Sequence, residues 1–232
     1  MDSFRDLHEE VVEALAEELG AGAVSLRGEL GELEVLGRRL LHGMALLEEG
    51  PPAVRAQVSS LGERASCAIL VGLLAARGLE PRYLDPVAHV RVEGDPLQAR
   101  PCLAETERSF AAVKAGEGGL WVLPGFFGGD AQGRILSLGR GGSDHSAALA
   151  AAALGADLLE IWTDVVGLYS ADPRLVPEAF PLPEASFEEA MELSFFGAKV
   201  LHPKTIPPVR ERGIPVRVCS SFDPAHPGTV IR

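Results

Sequence analysis

The feature that most constrains this chain is a glycine turn set between two strand-like runs. Ile135 to Leu138 reads as a short strand and Gly139-Arg-Gly-Gly-Ser-Asp144 as the turn. An alanine-rich helix follows from His145 to Leu154, stopped by Gly155, and Leu158 to Trp162 reads as a second strand. Strand, glycine turn, helix and strand in that order predict a parallel α/β unit, because parallel neighbours need the crossover a helix supplies. Gly141 and Gly142 carry no Cβ, so their N–H groups can lie close against a ligand. The helix adds unpaired N–H groups and the positive end of its dipole, which together make an anion site. Arg140 can grip a carboxylate or phosphate through two parallel hydrogen bonds. The plain reading of the same residues is a turn in which Ser143 or Asp144 caps the helix.

A local anion site matters because the chain as a whole repels anions. Its 232 residues carry 21 basic and 33 acidic side chains, a formal charge of −12. That excludes nucleic acid and anionic membranes as expected partners, so an anionic ligand must be met by clustered cations. Lysine is scarce: Lys114, Lys199 and Lys204 are the only ones, and two of them lie in Phe196-Gly-Ala-Lys-Val-Leu-His-Pro-Lys204. Lys199, on a connector after a helix ended by Gly197, is placed to neutralise phosphate; its plain reading is a solvated loop lysine. Cys67, Cys102 and Cys219 are too scattered for a disulfide framework or a zinc site. The longest apolar stretch, residues 65–76, is shorter than a bilayer-spanning helix requires. The acidic N-terminus does not read as a signal peptide, so a soluble cytoplasmic protein is expected.

Upstream, helices are expected from Phe4 to Leu19, from Leu30 to Leu47, from Pro52, and from Ser60 to Ala76. Ser60 and Glu63 have capping-box spacing for the last of these; the alternative is a carboxylate reserved for a substrate ammonium. Short strands are expected at 81–85, 89–93 and 120–123, and a polar helix from Cys102 to Ala115. Downstream, Ser186 and Glu189 form a second capping box, and Ile214 to Cys219 reads as a closing strand. A soft boundary is expected near residue 119, between a helix-rich lobe (1–119) and a nucleotide-type α/β lobe (120–232). Thr163 and Asp164 fall at the carboxyl end of a strand, where open α/β sheets place their ligands. Tyr169 adds an aromatic face and Arg174 a charge, a set that suits a nucleotide; the plain reading is a hairpin with an Asp-Pro turn.

Taken together, Gly125-Phe-Phe-Gly, Leu138-Gly-Arg-Gly-Gly-Ser-Asp, Trp162-Thr-Asp-Val-x-Gly-Leu-Tyr-x-x-Asp-Pro-Arg and Phe196-Gly-Ala-Lys-Val-Leu-His-Pro resemble aspartate kinase, a branch of the amino acid kinase superfamily. The likeness covers nearly the whole chain. It implies a three-layer α/β sandwich with a mainly parallel central sheet. It also implies transfer of the γ-phosphoryl group of ATP, with Mg²⁺, to the β-carboxylate of L-aspartate, and a homodimer. By the same resemblance Glu63 would meet the substrate's amino group, while Arg140, Ser143 and the Gly141-Gly142 backbone would hold its carboxylates. Asp144 would organise the reacting centre. Thr163, Asp164, Tyr169, Arg174, Lys199 and Val200 would line the ATP site.

The sequence departs from the family pattern at both ends. The family begins with a Lys-Phe-Gly-Gly-Thr-Ser strand and turn, absent here, and continues into regulatory ACT modules, also absent; an N-terminally truncated catalytic region is therefore expected. Two other readings stay open: an inactive nucleotide-binding homologue or partner subunit, and an amino acid kinase with another acceptor carboxylate.

Overall fold

In the computed structural model, residues 2–116, 118–171, 174–196 and 201–232 are described. The chain divides into two compact units, Met1–Cys102 with Ala115–Gly139, and Leu103–Lys114 with Arg140–Arg232.

The first unit opens with α1 (Asp2–Ala14), α2 (Ala16–Leu19), α3 (Gly22–Leu47) and α4 (Pro52–Ala76). Val12, Leu19, Leu26, Leu30, Leu61 and Ala65 close into its core. The three- and four-residue spacing of Leu26, Leu30 and Leu33 lays one apolar stripe along α3, as helix periodicity requires.

Two expectations change here. Gly20-Ala-Gly22 ends only α2, and α3 starts at once, with the Ala23 N–H donating to the Gly20 carbonyl at 3.2 Å. The helices expected from Pro52 and from Ser60 are one continuous α4, entered at Pro52 in a first-turn position where its missing N–H costs nothing. Ser60 is therefore no cap: it is fully buried mid-helix, and its hydroxyl donates to the Gln57 carbonyl at 2.8 Å. Merged in this way, α4 is long and apolar enough by length and composition to cross a membrane, which the shorter apolar run alone was not. It packs here along α3 and beneath strands of the same unit.

Next come β1 (Pro81–Tyr83), α5 (Pro86–His89), β2 (Val92–Glu93), β3 (Arg100–Pro101), α6 (Leu103–Ala115), β4 (Leu120–Val122), β5 (Phe127–Gly129) and β6 (Ile135–Ser137). Of the strand expected at 89–93, only His89 falls in the short helix α5, which the Asp85 carboxylate caps by accepting from the Val87 N–H at 2.9 Å; Arg91 makes a β-bridge and Val92–Glu93 is β2. β1 and β4 pair in parallel, with Arg82 opposite Trp121. β5 and β6 form an antiparallel hairpin. Gly128 and Gly129 have to be glycine: a Cβ on either would fall 2.2 Å or 2.1 Å from the carbonyl oxygens of Val90 and Val87.

The second unit contains α6, α7 (Gly142–Leu154), β7 (Leu159–Thr163), β8 (Glu184–Ala185), α8 (Phe187–Phe196), a 3₁₀ turn (Pro203–Thr205), α9 (Ile206–Arg210), β9 (Val216–Ser220) and β10 (Thr229–Ile231). Its sheet runs β7-β9-β10-β8, with β7 parallel to β9, β9 antiparallel to β10, and β10 parallel to β8. The fold is mixed α/β with parallel strands, but the strands flanking the glycine turn are not the parallel pair that the pattern predicts: β6 pairs antiparallel with β5, and the parallel neighbour of β7 is β9. Ile161, Leu168, Ile206, Val209, Val216, Val218 and Ile231 form the heart of the core. The Ser186–Glu189 capping box forms, each side chain bonding the other residue's N–H, at 3.1 Å and 2.7 Å.

Candidate functional site

The glycine turn becomes the first turn of α7. Gly141 adopts φ +68°, and a Cβ there would lie 2.3 Å from both Cβ and Cγ of His202. Only glycine satisfies both the backbone angle and the approach. The first intrahelical bond runs from the His145 N–H to the Gly141 carbonyl at 3.0 Å, and among the described residues the helix N–H groups before it, at the positive end of the helix, have no backbone partner. Arg140 and Ser143 are exposed and Asp144 is half-buried. Burial raises the Asp144 carboxyl above its usual 3.8, with the nearby His202 opposing. His145 is buried, and desolvation, then Lys204 and His202, lower its pKa to about 4; it is neutral at pH 7. Its Nδ1 and the hydroxyl of fully buried Thr205 have no partner among the described residues.

A second group gathers at the carboxyl ends of the parallel strands β7 and β9. Thr163 ends β7, its carbonyl accepts from the Ser221 N–H at 2.8 Å, and its hydroxyl donates to the Asp164 carboxylate at 3.1 Å. Tyr169 lies on a return segment in which the Leu182 N–H donates to the Leu168 carbonyl at 2.7 Å and the Ser170 N–H to that of Phe180 at 3.0 Å. Arg174 is exposed. Lys199 and Val200 lie outside the described residues.

Glu63 belongs to the first unit. Its carboxylate accepts from the Gly125 N–H at 3.1 Å, which ties the middle of α4 to the loop before β5. Burial, and then this carboxylate, push the Cys67 thiol up to about 11. At the neighbouring Phe126 the backbone takes φ +57°, a conformation rarely adopted by a bulky residue and one that marks functional segments. Of the predicted residues, Arg140 to Asp144 share one helix start, Thr163 and Asp164 share one strand end in the same unit, and Glu63 stands at the 125–129 loop of the other unit. His202 was missed as a site residue. Its signal was a His-Pro pair preceding a helix-like run, the pattern of an N-cap followed by proline.

Among the described residues no cluster of three or more His, Cys, Asp or Glu forms a metal cage. That donor set fits Mg²⁺ only as an ion carried largely by phosphate and water oxygens.

Residues 8–220 match the amino acid kinase family, and the chain belongs to it. Within that family it is similar to aspartokinases. It is 40% identical over 201 residues to the lysine-sensitive aspartokinase 3 of Escherichia coli, covering 83% of this chain and 44% of that protein. It is 42% identical over 179 residues to a bifunctional aspartokinase/homoserine dehydrogenase of Haemophilus influenzae, covering 77% of this chain and 22% of that protein. Crystalline E. coli aspartokinase III in complex with aspartate and ADP matches with TM-score 0.89 and 36% identity, over 98% of this chain and 51% of that one.

Proposed function

We propose that this chain is the catalytic region of an ATP-dependent aspartate kinase, making 4-phospho-L-aspartate in the cytoplasm as part of a homodimer. The reading is supported by the start of α7, where Arg140, the left-handed Gly141 and Ser143 follow one another at the helix N-terminus, in a chain that matches a structure holding aspartate and ADP. Arg140, the 141–142 backbone and Ser143 hold the acceptor's carboxylates, and Glu63 takes its ammonium group. Thr163, Asp164, Tyr169, Arg174, Lys199 and Val200 receive the nucleotide.

The chemistry asks for alignment more than for proton transfer. A β-carboxylate is already ionised at neutral pH, so no general base is needed, and the reaction reduces to bringing two anions into line. Two unit charges ~4 Å apart repel by about 4 kcal/mol at an effective dielectric near 20. Arg140 and the α7 dipole offset that repulsion on the acceptor side, and Lys199 on the nucleotide side. Mg²⁺ bound with the nucleotide supplies further neutralisation of the phosphate oxygens; Asp164 is the carboxylate of the strand-end set suited to orient its water shell.

Trapping an acyl phosphate with hydroxylamine tests the reading. The protein should form aspartyl hydroxamate only with ATP and L-aspartate together. Arg140→Ala should lower kcat/KM for aspartate by about 100-fold, ~3 kcal/mol of transition-state stabilisation. Phosphoryl transfer to another carboxylic acid in preference to aspartate, or an Arg140→Ala enzyme that keeps the wild-type kcat/KM for aspartate, would overturn it.

A further inference from the structure

We infer that His202 is a positioning residue whose imidazole braces the Arg140–Asp144 turn and so keeps the cradle for the acceptor's carboxylate in its binding shape. This rests on the reading of that turn as the acceptor site. His202 occupies the space into which a Cβ on Gly141 would project, with its Cβ and Cγ each 2.3 Å from that point and its Cδ2 at 2.7 Å. The residue is itself held firmly. Its Nδ1 accepts from the Lys204 N–H at 3.2 Å and caps the 3₁₀ turn, Pro203 fixes the next φ, and the Thr205 N–H donates to its carbonyl at 2.9 Å. Leu201 before it and Thr205 and Ile206 after it are buried. Because Nδ1 accepts, the neutral ring carries its proton on Nε2.

The turn needs such a brace. Gly139 and Gly141, on either side of Arg140, have φ +77° and +68°, so the guanidinium stands on backbone with unusually wide conformational freedom. Ordering that segment on binding costs entropy, and a wall already in contact with Gly141 removes much of the cost beforehand. His202 also lies on the segment that carries Lys199 and Val200, so one stretch of chain serves both the acceptor turn and the residues assigned to the nucleotide.

Two variants of the protein decide the matter, His202→Ala and His202→Asn. Kinetics with aspartate and ATP are measured alongside amide hydrogen exchange without ligand. In His202→Ala, KM for aspartate should rise about tenfold while KM for ATP changes less than about threefold. The His145 amide, bonded to the Gly141 carbonyl, should exchange about tenfold faster. Asparagine can accept from the Lys204 N–H and keep the cap but lacks the ring. It should restore protection of the Thr205 amide while leaving aspartate KM and His145 exchange as in the alanine variant. Wild-type aspartate KM and His145 exchange in both variants would overturn the brace, as would full recovery by asparagine, which would leave the cap alone responsible. If the wild-type protein phosphorylates no aspartate, the proposed function fails by itself, and the exchange rates still decide the brace.

Discussion

Two glycine-containing turns, little more than one strand apart in sequence, use the same residue type for opposite ends. In the β5–β6 hairpin the turn is held by hydrogen bonds centred on Asp130. The Asp130 carboxylate accepts from the N–H groups of Gln132 at 2.9 Å and Arg134 at 2.8 Å and from the Arg134 Nε at 2.7 Å, and the Asp130 N–H donates to the Arg134 carbonyl at 3.1 Å. In the turn from Arg140 to Asp144, no hydrogen bond or ion pair engages the side chains of Arg140, Ser143 or Asp144 among the described residues. One turn spends its hydrogen-bonding capacity on its own shape. The other is shaped by packing against His202 and leaves its donors for a ligand.

The largest effects should come from exchanging those roles. Gly141→Ala forces a Cβ into His202 and a positive φ on alanine, displacing the turn by a sizeable fraction of an ångström. We expect kcat/KM for aspartate to fall by more than about 100-fold while most of the folding stability survives. Gly128→Ala drives a Cβ to 2.2 Å from the Val90 carbonyl and should do the reverse, costing about 3 kcal/mol of stability with turnover per folded molecule nearly unchanged. Denaturant titration and kinetics on the same two samples check both; equal losses of activity in the two variants would erase the distinction.

Asp130→Asn comes next, at about 2 kcal/mol, because an amide N–H₂ turned toward the Arg134 guanidinium opposes one donor with another. Burial pulls the Asp130 carboxyl upward, but the N–H groups of Arg134 and Gln132 and the Arg134 guanidinium outweigh it and hold it below its usual 3.8. A carboxyl depressed in the folded state adds stability that is fully present above 3.8 and is lost as pH falls through the folded value. The wild-type advantage over Asp130→Asn should therefore persist from pH 7 to about pH 4 and shrink below it.

The contrast also explains what could be read from the sequence. Strand, glycine turn, helix and strand were legible because each depends on neighbours a few residues away. Ser60–Glu63 and Ser186–Glu189 have identical capping spacing, yet only the second is a cap. Ser186 follows strand β8, a break that frees its N–H for Glu189, whereas Ser60 is preceded by eight residues already helical from Pro52. Spacing describes a cap only where something has stopped the chain from being helix beforehand. His202 escaped notice for a different reason: its contact with Gly141 joins segments far apart in sequence, and neither segment alone demands the other. The Glu63–Gly125 bond was hidden in the same way, although the carboxylate itself was singled out.

Asp144→Asn should have the smallest effect on stability and tests the open turn most directly. In the first turn of α7 the helix dipole favours a negative charge, while partial burial without a donor disfavours it. The carboxyl is raised above 3.8, so burial wins. A carboxyl raised in the folded state subtracts stability once the pH exceeds 3.8, and the full penalty is in place above the folded value. Asparagine carries no such penalty, so thermal melting at pH 7 should show a gain of about 2 °C, fading toward zero as the pH approaches 3.8. Turnover should fall by at least about tenfold in the same variant. A melting temperature lowered at pH 7 would mean that Asp144 makes a stabilising bond in the unliganded protein, and the turn would then be as closed as the hairpin.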